Sequence, residues 1–292
     1  ENGDLGNVVN IYNRINSGGK KVEAEEKAFA TLVSLFPETN SYISNLFSLI
    51  HGNEETNSNF KRDDVLKRKK ERNFGFKLFI RVFIQVCNYH LGYSIKRSGL
   101  SFDIVNKQDF QSFFSDTNQD KVKQLWQTTT DILLFFAKET EDSTGSIGLL
   151  KKNLFCDNFQ FLPETSSLLP VIQFLIQYPE FVTVYSNNPT HRNSIALLCL
   201  KLFISEPSSR DIINLTKLVK DFNSKNAAET IRELNSKLGN TKSSDLYDRL
   251  SGKMSLQDKY VLMLYWILRK NNIKDFSYKA NKLTISDTEP II

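Results

Sequence analysis

Residues 74–91 read Phe74-Gly75-Phe76-Lys77-Leu78-Phe79-Ile80-Arg81-Val82-Phe83-Ile84-Gln85-Val86-Cys87-Asn88-Tyr89-His90-Leu91. The polar residues Lys77, Arg81, Gln85 and Asn88 recur at spacings of four, four and three, and nearly everything between them is apolar. That is the period of an α-helix, so the stretch predicts a largely buried helix with one water-facing stripe. Downstream, Val122, Leu125, Trp126, Thr129, Ile132, Leu133 and Phe136 repeat the three-four pattern and predict a second long helix ending near the polar breaker at 139–145. Residues 194–204 and 256–269 are apolar nearly all round, as expected of helices enclosed by other helices.

Start and stop signals agree. Ser208, just after Pro207, is placed to cap a helix carrying Ile212, Leu215, Leu218 and Val219, and Ser255 with Asp258 forms a capping-box pattern. Pro163, Pro170, Pro179 and Pro189 punctuate the middle. Alternation typical of a strand is brief at 281–287 and weak at 95–105, around Ser101-Phe102-Asp103-Ile104. No fixed period of 20 to 50 residues emerges, which disfavours a solenoid. The expected fold is mainly α, a compact multi-helix assembly with at most one short β element. Residues 52–59 and 237–245 are rich in small polar residues and read as loops. The expected organisation is a first segment 1–52 and a helical domain 60–292, with a subdomain edge near 237–245.

Composition bounds the function more than it names it. At 292 residues, 40% hydrophobic and 24% charged, the chain falls in the globular range, and 22 Phe with 10 Tyr give its core an aromatic character. Cys87, Cys156 and Cys199 stand far apart, with no Cys-x-x-Cys pair and no histidine cluster. Structural zinc is disfavoured, and all three read as buried, inert thiols of a reducing, cytoplasmic compartment. The longest unbroken apolar run, Tyr260 to Leu268, is about half of the roughly 20 residues a spanning helix needs. No membrane association is expected.

The charge is uneven. Residues 61–72 read KRDDVLKRKKER, with seven basic residues (Lys61, Arg62, Lys67, Arg68, Lys69, Lys70 and Arg72) and three acidic ones, a net of +4 against +5 for the whole chain. Such a run can lie along a DNA backbone, each engaged cation displacing a counterion. It can equally be a solvated helix face with Asp63 and Asp64 pairing Lys67 and Arg68 at i, i+4.

Catalytic signatures are scarce. His51, His90 and His191 are unpaired by sequence and read as structural. There is no nucleophile elbow, papain-like cysteine signature, phosphate loop, dinucleotide fingerprint or His-Glu-x-x-His. Glu23, Glu25 and Glu26 form an acidic group, but in the first turn of a helix they favour the positive end of its dipole. One segment stands apart: Val9-Asn10-Ile11-Tyr12-Asn13-Arg14-Ile15-Asn16-Ser17-Gly18-Gly19, followed by Lys20-Lys21-Val22 and the acidic residues. Val8, Ile11, Tyr12 and Ile15 make an apolar stripe, and Gly18 and Gly19 can turn the chain with positive φ near a helix N-terminus. The turn either receives an anion or serves geometry alone.

Ile11-Tyr12, Arg14, Asn16-Ser17-Gly18-Gly19, Val22 and Glu23 to Glu26 resemble the bacterial ParB/sulfiredoxin-like family that includes GmrSD-type modification-dependent restriction enzymes and related anti-phage proteins. The resemblance covers about 20 residues, and the Phe- and Leu-rich helices that follow look like the helical region of such proteins. It implies that Arg14, Asn16, Gly18 and Gly19 border a nucleotide pocket. It also implies a parent protein that uses a nucleoside triphosphate with magnesium and carries an HNH nuclease domain, with DNA as its target. The family's upstream Asp-Gly-Gln-Gln-Arg motif and downstream HNH motif do not occur in this sequence. With no initiator methionine and an end at Glu289-Pro290-Ile291-Ile292, we expect the helical middle of a longer enzyme, inactive by itself and holding no cofactor of its own; the alternatives are a DNA-binding helical module using the basic run 61–72, or a ligand-free structural or protein-interaction scaffold.

Overall fold

The computed structural model describes residues 23–51, 74–95, 102–138, 147–154, 165–205, 207–222 and 226–238. Among them are eleven α-helices and no strand. In chain order they are α1 (Ala24–Leu35), α2 (Thr39–His51), α3 (Phe76–His90), α4 (Gln108–Phe113), α5 (Gln119–Ala137), α6 (Leu149–Leu154), α7 (Leu169–Gln177), α8 (Glu180–Thr183), α9 (Pro189–Ser205), α10 (Ser209–Asp221) and α11 (Ala227–Leu238). The fold is mainly α, as the periodicity predicts. None of the described helices is long and apolar enough to cross a membrane. The described residues fall into two compact units, divided within α5 between Thr130 and Asp131, with Phe74 belonging to the second.

In the first unit α3 is the central element, packed against α1 and α2. Its interior positions from Leu78 to Asn88 are almost all buried. The water-facing stripe expected along it is not wet throughout. Gln85 is 0% exposed and Asn88 6%, while Lys77 and Arg81 turn toward Glu23, just before α1, and Glu25 in its first turn. A polar row at helical spacing marks a distinct face, but it does not say whether water or protein covers that face. The helix ends in a Schellman turn, with Gly92 N–H donating to the Tyr89 carbonyl at 3.1 Å and Tyr93 N–H to that of Asn88 at 2.9 Å. Gly92 has φ +70°, where a side chain is strained even with open space around it.

The core of this unit is a column of rings. Trp126 of α5 is fully buried between Phe83, stacked at 3.9 Å, and Tyr42, stacked at 5.3 Å. Phe83 also meets Phe114 edge-on at 6.3 Å, and Phe114 contacts Phe110 at 4.9 Å. Each such ring pair contributes about 0.5–1.5 kcal/mol beyond the area it buries. The seven residues that define the α5 face, Val122 through Phe136, are all buried.

Residues 95–105, weakly strand-like in sequence, contain no strand where described: Phe102–Asn106 is a 3-10 turn. Ile104 and Val105 are adjacent and both buried, which a tight helical turn allows and a half-exposed strand would not. Residues 281–287, 256–269, Ser255 and Asp258 lie outside the described residues, and so does most of the loop and subdomain edge expected at 237–245; its first two residues, Lys237 and Leu238, belong to the end of α11 and not to a loop.

In the second unit α7, LPVIQFLIQ, is buried along almost its whole length and packs on α10. The enclosed α9 packs against α6 and α11. Prolines open these helices, as their fixed φ and missing N–H favour: Pro170 stands in the first turn of α7 and Pro189 begins α9. Ser208 caps α10 as expected, its hydroxyl accepting from Asp211 N–H at 3.2 Å while the Asp211 carboxylate accepts from Ser208 N–H at 3.2 Å. Asn226 and Glu229 make the same reciprocal pair at α11. Phe74 adopts φ +53°, rare for a bulky residue. That strain costs about 1–2 kcal/mol, whereas burying a phenylalanine returns about 1.5–3 kcal/mol. The Phe74 ring is fully buried against Phe136 at 6.4 Å, so packing wins.

Candidate functional site

Arg14, Asn16, Gly18 and Gly19 lie outside the described residues, and so do Lys61, Arg62, Lys67, Arg68, Lys69, Lys70 and Arg72. What is described is the helix that follows the Asn16–Gly19 segment in sequence. Glu23 precedes α1, its backbone N–H donating to the Glu26 carboxylate at 3.2 Å. The carboxylate of Glu23 pairs with Lys77 Nζ at 2.8 Å, and Glu25 Oε1 accepts from Arg81 Nε at 2.8 Å and lies 2.7 Å from Arg81 Nη2. Glu25 is 7% exposed, so its pair with Arg81 is screened less than the surface pair beside it. The Glu23 hydrogen bond raises the Lys77 pKa above its ordinary value by favouring the ammonium form. The first-turn acids therefore do more than complement a helix dipole: they fasten the start of α1 to α3.

The histidines occupy three separate apolar settings. His51 packs on Phe47 at 4.6 Å, His90 meets Phe113 at 5.3 Å, and His191 lies against Phe181 at 5.0 Å and Tyr185 at 4.5 Å. Among the described residues no group of three or more His, Cys, Asp and Glu is arranged to hold a metal ion. Cys87 and Cys199 are fully buried, and burial raises both thiols far above their ordinary pKa, which keeps them protonated and unreactive. Both match the inert reading, while Cys156 lies outside the described residues. Near the end of α3, burial and the Asp109 carboxylate push the Tyr93 hydroxyl up to about 12, and Asp109 is in turn held below the usual carboxylate range by Tyr93. Lys107 Nζ sits 4.3 Å over the Tyr93 ring.

The second unit holds a polar centre that the sequence reading missed. Arg192, in the first turn of α9, is only 2% exposed. Its Nε donates to Asn153 Oδ1 at 2.9 Å, Nη1 to the Ser186 carbonyl at 2.8 Å and Nη2 to the Ile147 carbonyl at 2.8 Å. Asn153 in turn donates to Asn193 Oδ1 at 3.1 Å, and the guanidinium lies 5.4 Å from the Phe135 ring centroid. Burial lowers the Arg192 pKa to about 10, which leaves it charged at neutral pH. A signal was available. Arg192 stands three residues before Ile195, four before Ala196 and seven before Cys199, on the stripe that goes inside. A charge on such a stripe needs acceptors, and the planar fork of arginine is suited to three directions at once.

As an arrangement these groups fasten helices and turns. No family model matches the chain, and neither does any curated protein or solved structure.

Proposed function

We propose that the chain is a helical connector in a nucleotide-dependent, DNA-directed defence nuclease of the ParB/sulfiredoxin-like, HNH-linked kind, passing the state of a nucleotide site to a flanking nuclease domain. In this reading Arg14, Asn16, Gly18 and Gly19 border the nucleotide. The observation that carries it is the attachment of α1. Only three residues separate Gly19 from Glu23, and the N-terminal end of α1 is ion-paired to α3 through Glu23–Lys77 and Glu25–Arg81. Phe83 of α3 stacks on Trp126 of α5. A displacement of the Asn16–Gly19 segment would reach α5 through bonded and stacked groups.

The test is a thermal-shift titration of the chain with GTP, ATP and Mg²⁺. A ligand at 100 times its Kd that binds only the folded form adds about 2.7 kcal/mol of stability. We expect a raised Tm in the wild type that disappears in Asn16→Ala. An unchanged wild-type Tm with every nucleotide, or an equal shift in Asn16→Ala, overturns the reading. Nucleotide or DNA turnover by the chain alone that vanishes in Asn16→Ala would contradict its role as a connector.

A second reading rests on the +4 segment at 61–72, which carries nearly all of the chain's net charge. Here the chain itself grips duplex DNA. Its log K should fall linearly with log salt, with a slope of about −0.9 per neutralised phosphate. Reversing Lys67, Arg68, Lys69 and Lys70 to glutamate should abolish binding, and binding indifferent to that change eliminates the idea.

A further inference from the structure

We draw no further inference here: the strongest candidate, the side-chain cluster of the buried Arg192 with Asn153 and Asn193 at the start of α9, has each guanidinium nitrogen already engaged by a protein oxygen, and nothing among the described residues around it points to a ligand.

Discussion

Arg192 stabilises its surroundings through what would be lost without it. Truncation to alanine strands the Ile147 and Ser186 carbonyls and the Asn153 amide oxygen, all of which it now satisfies. The three acceptors are part-buried, so each costs near the lower end of about 1–3 kcal/mol when left unmade, and Arg192→Ala should cost on the order of 3 kcal/mol in urea unfolding. Arg192→Lys keeps the charge but not the fork, and should recover only part of that loss. Equal stability of both variants with the wild type would show the three bonds to be energetically idle. Tyr93 acts on a different axis, that of pH. Its folded pKa of about 12 lies above the ordinary 10, so the fold favours the neutral phenol. The stability it contributes is complete below pH 10 and is lost as pH rises through 12. Lys77, also raised, acts with the same sign from its ordinary 10.5 upward. Thermal melts should therefore show Tm falling across pH 10–12, with a shallower fall in Tyr93→Phe. That Arg192 belongs inside is legible from its spacing. Its acceptors are not, because they come from 147, 153 and 186, which only the packing of α6, α9 and the turn after α8 brings together.

Among the helices, the α1–α3 clamp and the approach of α5 to α6 are the two junctions most open to test. Glu25→Ala removes the carboxylate from Arg81 at a site 7% exposed. Hydrogen bonds to charged groups are worth about 1.5–3 kcal/mol. Arg81, whose side chain is 31% exposed, can turn partly to water, so a loss near the lower value is expected by denaturant titration. The exposed Glu23–Lys77 pair should contribute a few tenths of that. At the other junction, Gly148 N–H donates to the Lys138 carbonyl at 2.9 Å. A Cβ on Gly148 would stand 2.6 Å from Lys138 N and 2.7 Å from the Phe136 carbonyl oxygen. These are backbone atoms that cannot swing aside, so Gly148→Ala should destabilise by about 1–3 kcal/mol. An unchanged urea midpoint would mean that the two segments separate without cost. Helix existence and capping were readable at this scale, as α3, α5, α9 and Ser208 attest. Two features were not. The apolar–polar alternation Phe102-Asp103-Ile104 that imitates a strand lies in a 3-10 turn, and the α3 polar row stays exposed at Lys77 but is buried at Gln85 and Asn88, which the row itself does not announce.

For the molecule as a whole, composition and periodicity account for a mainly α chain with an aromatic interior, because both follow from local spacing and from the area that phenylalanine, tyrosine and tryptophan must bury. The function was far less legible. Arg14, Asn16, Gly18, Gly19 and the basic run at 61–72 lie outside the described residues, so their chemistry rests on the nucleotide and DNA titrations above. The candidate polar centre at Arg192 is built from neutral carbonyl and amide acceptors, which leave no pattern in a sequence. The ring column offers a way to follow the proposed coupling directly. Trp126 and Trp266 are the two tryptophans, so in Trp266→Phe the remaining indole is the one clasped between Phe83 and Tyr42. Shielded from water, it should emit toward the blue and resist quenching by iodide. If nucleotide moves α1 and α3 together, that light should change in colour or intensity on titration and remain constant in Asn16→Ala, giving the connector a built-in optical gauge.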